Sequence, residues 1–162
     1  MTREAEVVRF LRGQPGAIVE VMRELARERS GWVNFQAVGE DPDNAPEIVP
    51  GRAGMFAWLT SRRITVPVAT WVPGPATRHG HDADSIGIQH DAGRFAARQL
   101  EEAGVVVPSS WRRMADHPRR GLVFEFPDGI DAADILEWLF KASDVLSTAP
   151  LPPTWVAIVH RR

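Results

Sequence analysis

The stretch SIGIQHDAGRFAARQLEEAGVVVPSSWRRMADHPRRGLVFEFPDGIDAADILEWLFKASDVLSTAPLPPTWVAIVH, residues 85–160, decides the fold. Ser85 to Gln89 alternates small or polar with apolar side chains and reads as a strand. Asp91 is placed to cap a helix running to about Ala103, because its carboxylate can accept from the free N–H groups of a first turn. Trp111 to Asp116 and Arg120 to Phe126 read as strands joined by His117-Pro118-Arg119. Asp131, with Asp134 three positions on in the manner of a capping box, opens a second helix, and Thr154 to His160 closes the series as a strand. This is the split βαβ order of the ferredoxin-like plait, in which the first and third strands of the series are central neighbours. The expected class is α+β: a ferredoxin-like split βαβ unit over residues 85–160, extended by an N-terminal helix and two further strands.

Alternation assigns the faces of those central strands. Ile86, Ile88 and His90 point one way, with Leu122, Phe124 and Phe126 on the corresponding apolar face under the helices. The opposite face receives Ser85, Gly87 and Gln89 from one strand and Gly121, Val123 and Glu125 from the other. Glycines bring backbone close to a ligand, and Gln89 and Glu125 offer orienting groups, so this polar face is the leading candidate for a ligand site. Six tryptophans join a large apolar body to a single donor. Trp32 and Trp71, beside polar strand positions and a loop, are the pair expected to line that site.

Working outward, residues 3–29 read as helix in two pieces. Val7, Val8 and Leu11 share a stripe before Gly13-Gln14-Pro15-Gly16, and Ile18, Val21, Met22 and Leu25 then recur at helical spacing. Glu20 with Arg23, and Glu24 with Arg27, are spaced as helical ion pairs. Trp32 to Val38 alternates as a strand. Glu40 to Gly54 is an acidic, proline-rich loop, Met55 to Thr60 a helical turn, and Ile64 to Trp71 a strand whose Pro67 points to a sheet edge. Residues 73–84 form a loop. The expected organisation is a single domain over 1–162, with an N-terminal elaboration at 1–84 and the ferredoxin-like unit at 85–162.

Composition narrows the function classes. The chain has 162 residues, 44% hydrophobic and 25% charged, with a formal net charge of −2, as for an ordinary globular protein. Lys141 is the single lysine among 19 basic residues, but 21 carboxylates balance them, which argues against broad nucleic-acid binding. Without cysteine there is no disulfide framework, thiol nucleophile or cysteine metal site. The start shows no signal-peptide pattern, and no stretch approaches the roughly 20 apolar residues that span a bilayer. Cytoplasmic residence and no membrane association are expected.

Two clusters carry possible chemistry. His79 and His81, followed by Asp82, Asp84 and His90, gather metal-ligand side chains, but an H-x-H pair aims together only on a strand, and Gly80 separates this one inside a loop. No metal and no cofactor are assigned. Arg113, His117, Arg119 and Arg120 flank a turn and offer an anion-binding group, with His117 as an acid or base should a substrate approach. Nucleophile elbow, phosphate loop, dinucleotide turn and zinc-helix motifs are missing. The expected function is a noncatalytic binding or regulatory domain that recognises a protein partner or small ligand at the polar sheet face, with a homodimer as one form of partner. The alternative is a small hydrolase or transferase that uses a histidine-containing loop, with or without a metal.

Overall fold

The computed structural model describes residues 5–39 and 66–162. The acidic loop at 40–54, the turn at 55–60 and the start of the strand expected from Ile64 lie outside the described residues.

The N-terminal pattern resolves into a strand and a helix rather than two helical pieces: Glu6–Leu11 is β1 and Gly16–Glu28 is α1. Val7, Val8 and Leu11 fit a helical stripe, but Val8 and Phe10 alternate with Val7, Arg9 and Leu11 equally well. The two-residue period wins because it buries Phe10, and adjacent β-branched valines suit a pleated strand. In α1, Ile18, Val19, Met22 and Leu25 fall on one face and are buried. Pro15 stands immediately before the first turn, where a missing N–H costs nothing. The helix stops at Arg29, in the left-handed region at φ 52°. Gly31 follows at φ 80°, where a Cβ would lie 2.2 Å from the His160 carbonyl oxygen, so only glycine fits.

The remaining elements are β2 (Trp32–Ala37), β3 (Val68–Val72), the short ribbon β4 (Ala76–Thr77) and β5 (Gly80–His81), β6 (Asp84–Gln89), α2 (Ala96–Glu102), β7 (Arg112–His117), β8 (Gly121–Phe126), α3 (Ala132–Leu146) and β9 (Thr154–His160). Among the described residues seven strands form one sheet in the order β1-β9-β2-β3-β6-β8-β7, every neighbouring pair antiparallel. As expected, β6 and β8 are neighbours, with β7 beyond them. However, β2 and β3 stand between β9 and β6, so the strands of the 85–160 series are not contiguous. The mixed α+β class holds; the sheet is larger than a four-stranded plait. Strands from both sides of residue 84 interleave in it.

Two local expectations are corrected by tertiary contacts. Pro67 precedes the first strand residue, Val68, so it removes no ladder donor, and β3 lies inside the sheet between β2 and β6. Asp91 does not cap α2; Asp116 reaches over from β7 instead, accepting from the N–H of Ala96 at 3.0 Å and of Ala97 at 3.1 Å. Asp131 does cap α3, accepting from the Ala133 N–H at 3.3 Å.

Buried side chains of the three described helices share one apolar cluster with a single parity of each central strand, for example Val33 and Phe35, Ala69 and Trp71, Ile86 and Ile88, Leu122 and Phe124. Val68 and Val156, of the other parity, are buried but stand outside that cluster. The described helices therefore cover one face. The other face carries none of them.

Candidate functional site

The face free of helices among the described residues, here the helix-free face, is assembled by register. One row across it runs Val7, Ile158, Asn34, Thr70, Gly87, Val123 and Ala115, each opposite the next. Gly87, Gln89 and Glu125 lie on this face, as alternation requires. Their polar groups are engaged within the protein. Gln89 Nε2 donates to the Arg120 carbonyl at 3.1 Å, which ties β6 to the β7–β8 turn. Glu125 accepts from Arg112, its cross-strand partner, at 2.8 Å. Gly121 has φ 79°, and a Cβ there would lie 2.5 Å from the Ile88 carbonyl oxygen, so the turn geometry itself demands glycine.

Trp32 and Trp71 are not brought together. Trp71 stands opposite Val33 and shares its face, within the helix-covered core, whereas Trp32 lies on the other side of the sheet. Trp32 stacks on His160, ring centroids 4.5 Å apart and planes 12° apart, and the Arg162 guanidinium lies 5.4 Å from its ring centre.

Sequence reasoning missed the polar residues at the centre of this face, because only register reveals them as neighbours. Thr70 Oγ1 donates to Asn34 Oδ1 at 3.0 Å. That leaves Asn34 Nδ2 facing His160 Nε2 at 3.3 Å, and a donor there requires Nε2 to accept and the ring proton to reside on Nδ1. Burial pushes the His160 pKa down, in keeping with a neutral ring. His90 is buried, accepts the Ala92 N–H on Nδ1 at 3.1 Å, and has its pKa pushed down by burial, which outweighs the opposing pull of Asp116 and Asp91.

These two rings make stability depend on pH. Each binds a proton less readily folded than unfolded, so below the ordinary value of 6.5 the unfolded chain carries more protons. Their contribution is complete above about pH 6.5 and is lost as pH falls towards the lowered folded values. The urea midpoint is expected to fall between pH 7 and pH 5, and to fall less in a His90→Gln, His160→Gln variant. Equal pH dependence in the two proteins would contradict this assignment.

The two histidine clusters are dispersed. His79 lies in the turn of the ribbon, while His81 on β5 has both ring nitrogens occupied, Nδ1 at 2.9 Å from the Asp82 carbonyl and Nε2 at 3.0 Å from Asp128. Among the described residues no group of three or more His, Asp or Glu side chains gathers as a metal site would need. Arg113 and His117 sit on opposite faces of β7, separated by a bulge. Arg113 helps line an open cleft of about 700 Å³ with Trp111, Phe124 and Val105 to Val107. His117 accepts the Arg119 N–H at 3.0 Å, and Arg119 and Arg120 extend from the exposed turn.

A second cleft, of about 540 Å³, lies on the helix side between α1 and the start of α3. Trp71 and Asp84 contribute from the sheet, Ala26, Arg23, Arg27 and Arg29 from α1 and its end, and Ile130, Asp131 and Ile135 from α3 and the turn before it. Asp84 is only 4% exposed and accepts from Arg29 at 2.8 Å and from the buried Gly74 N–H at 2.9 Å. Arg29 also reaches Asp128 at 3.2 Å, which continues the chain of contacts to His81. These pairs compensate a left-handed arginine where helix ends favour glycine. Arg23 of α1 reaches across to α3, gripping both oxygens of Asp131 at 3.1 Å, and also pairs with Glu20. The Arg23 guanidinium, by hydrogen bonding, holds the Asp131 carboxyl below its usual range. Glu24 pairs with Arg161 rather than with Arg27.

Comparison of the chain with family models, characterised proteins and solved structures gives no match. Among the described residues no helix is long and apolar enough to cross a membrane.

Proposed function

We propose that the protein is a noncatalytic binding or regulatory domain for a small ligand, on a scaffold whose β6-α2-β7-β8-α3-β9 order we read as a ferredoxin-like unit opened by β2 and β3. The observation that carries this reading is the α1–α3 cleft. Its volume of about 540 Å³ falls within the roughly 300–1,000 Å³ of small-molecule sites. Apolar side chains share it with charged groups, among which the buried Arg29–Asp84 pair is held in place and can orient a ligand without having to reorganise. The histidines offer weaker support for catalysis, since His81 and His117 spend ring nitrogens on their own neighbourhood.

The test is a chemically mixed fragment panel screened by saturation-transfer NMR on the protein and on an Ala26→Trp variant, which fills the cleft from its α1 wall. Binding to the parent that disappears in the variant, with its melting transition retained, supports the reading. Fragments that bind both proteins alike overturn it.

A second reading keeps the helix-free face as a contact surface for another copy of the chain. Trp32 stacked beneath Arg162 at one end and the exposed Val7 and Leu11 on edge strand β1 favour it. Under that reading, amide resonances of β1 and β9 shift as the protein is diluted.

A further inference from the structure

A second surface, sharing no residue with the α1–α3 cleft, lies at the β7 end of the sheet. β7 is the last strand, so the backbone groups on its outer side have no strand neighbour among the described residues. Beside it runs the open groove of about 700 Å³, with Trp111 and Phe124 as its buried floor and Val105 to Val107, which follow α2, as its wall. Three of the five large apolar side chains exposed among the described residues border β7 and this groove. Val106 is 79% exposed on the groove wall, Met114 is 47% exposed at the β7 bulge, and Phe95 is 66% exposed just before α2. Phe95 is tied to β7 because the N–H groups of the next two residues bond to Asp116. Its φ of 61° is unfavourable for a residue with a Cβ, so an exposed ring is kept there at a conformational cost that its own packing does not offset.

Charge decides what such a surface accepts. β7 and the turn after it carry Arg112, Arg113, Arg119 and Arg120 against one carboxylate, Asp116, which is already bound to α2. Arg112 pairs with Glu125, whereas the exposed guanidinium groups of Arg113, Arg119 and Arg120 pair with no carboxylate among the described residues. His117 accepts the Arg119 N–H on Nδ1, which makes its other ring nitrogen a donor as well. Within the groove the acid is Glu101 of α2, which repels a carboxylate from that side. Acidic groups of a partner therefore settle on β7 and its turn, and an apolar group settles against Val105 to Val107.

We infer that β7 and the groove beside it dock an extended acidic segment of a protein partner, with carboxylates on Arg113, Arg119 and Arg120 and one apolar side chain in the groove. β7 spans six residues, roughly 20 Å, which a partner segment of similar length matches as an added strand. A second copy of the chain fits poorly, since it would bring four more arginines to the edge while its own Asp116 stays with its own α2. A nucleic acid strand would meet the same arginines, but the apolar groove suits a hydrocarbon side chain and Glu101 opposes a phosphate.

Three fluorescein-labelled peptides provide the test, by anisotropy on the full chain at low salt: one of glutamates and aspartates around two leucines, one with the corresponding amides, and one with serine for leucine. The acidic leucine peptide is expected to bind about tenfold more tightly than its amide counterpart, from two or three exposed charge pairs, and about threefold more tightly than the serine one. Raising the salt from about 20 mM to about 200 mM should remove most of the first difference. A variant with Arg113→Gln, Arg119→Gln and Arg120→Gln should hold the acidic peptide no better than the parent holds the amide one, and Val106→Ser should erase the advantage of leucine. All four side chains are exposed, so the melting transition should stay at its parental value. Arg9→Gln, on the opposite edge strand, should change nothing.

Equal binding of the acidic and amide peptides, no saturable binding by the acidic peptide, or parental binding by the triple variant each overturns the acidic docking surface. Tighter binding by a labelled single-stranded oligothymidine, lost in the same variant, assigns the surface to nucleic acid and overturns it too. Fragment binding in the α1–α3 cleft is decided by other residues and moves with none of these outcomes.

Discussion

Replacing Asp84 with alanine is expected to lower stability by about 3–5 kcal/mol, the cost of breaking a buried ion pair by removing one partner. Asp84 is 4% exposed, and its loss strands two groups at once: the Arg29 guanidinium, whose side chain is 19% exposed, and the buried Gly74 N–H. Arg29 would retain Asp128, which is half exposed and holds it less well. Asp84→Asn keeps an acceptor for Gly74 and loses only the charge, so it should cost about 1–3 kcal/mol. Urea unfolding of the three proteins gives the comparison. A loss below about 1 kcal/mol for the alanine variant would show that the pair is open to water in solution.

Trp111→Ala is expected to cost a further large amount, about 3–5 kcal/mol, as for other large aromatic truncations in a packed core. Trp111 immediately precedes edge strand β7 and is 8% exposed. Its ring stacks on Phe126 with centroids 4.5 Å apart, tilts against Trp138 at 4.8 Å and meets Phe124 at 5.9 Å. It thus joins the β7 end of the sheet to α3, beside Phe124, which also meets Trp138. Trp111→Phe keeps part of that stack and should lose less than half as much. If the alanine variant unfolds at the parental urea concentration, Trp111 is not packed in this cluster.

Much of the fold was legible because it is written locally. The alternation of Ile86 and Ile88, of Leu122, Phe124 and Phe126, and the Asp131 cap each decide an element from neighbours in the chain. What escaped depends on distant residues. The Phe10 strand forms against β9, whose register pairs Phe10 with Trp155, and α2 is capped by Asp116 some 20 residues away. Even the position of β3 inside the sheet depends on pairing partners that no local pattern names.

The candidate site follows the same division. Gly87, Gln89 and Glu125 were correctly placed on one sheet face, since a two-residue period fixes side. Their hydrogen-bond partners, the Arg120 carbonyl and Arg112, follow from the turn and from register. The cleft draws Arg23, Arg29, Trp71, Asp84 and Asp131 from elements far apart in sequence, and only Trp71 had been singled out for a ligand site. One signal was available: an arginine at the end of an amphipathic helix, two residues before Gly31, where the chain must turn left-handed.

The most direct test of the central claim is amide-shift mapping, on the isotopically labelled protein, of the fragment from the mixed panel that binds it most tightly. The account predicts saturable shifts at Arg23, Ala26, Arg27, Arg29, Trp71, Gly129 and Ile130. Shifts confined to the helix-free face around Trp32, Asn34 and Gln89, with the α1–α3 cleft silent, would contradict it.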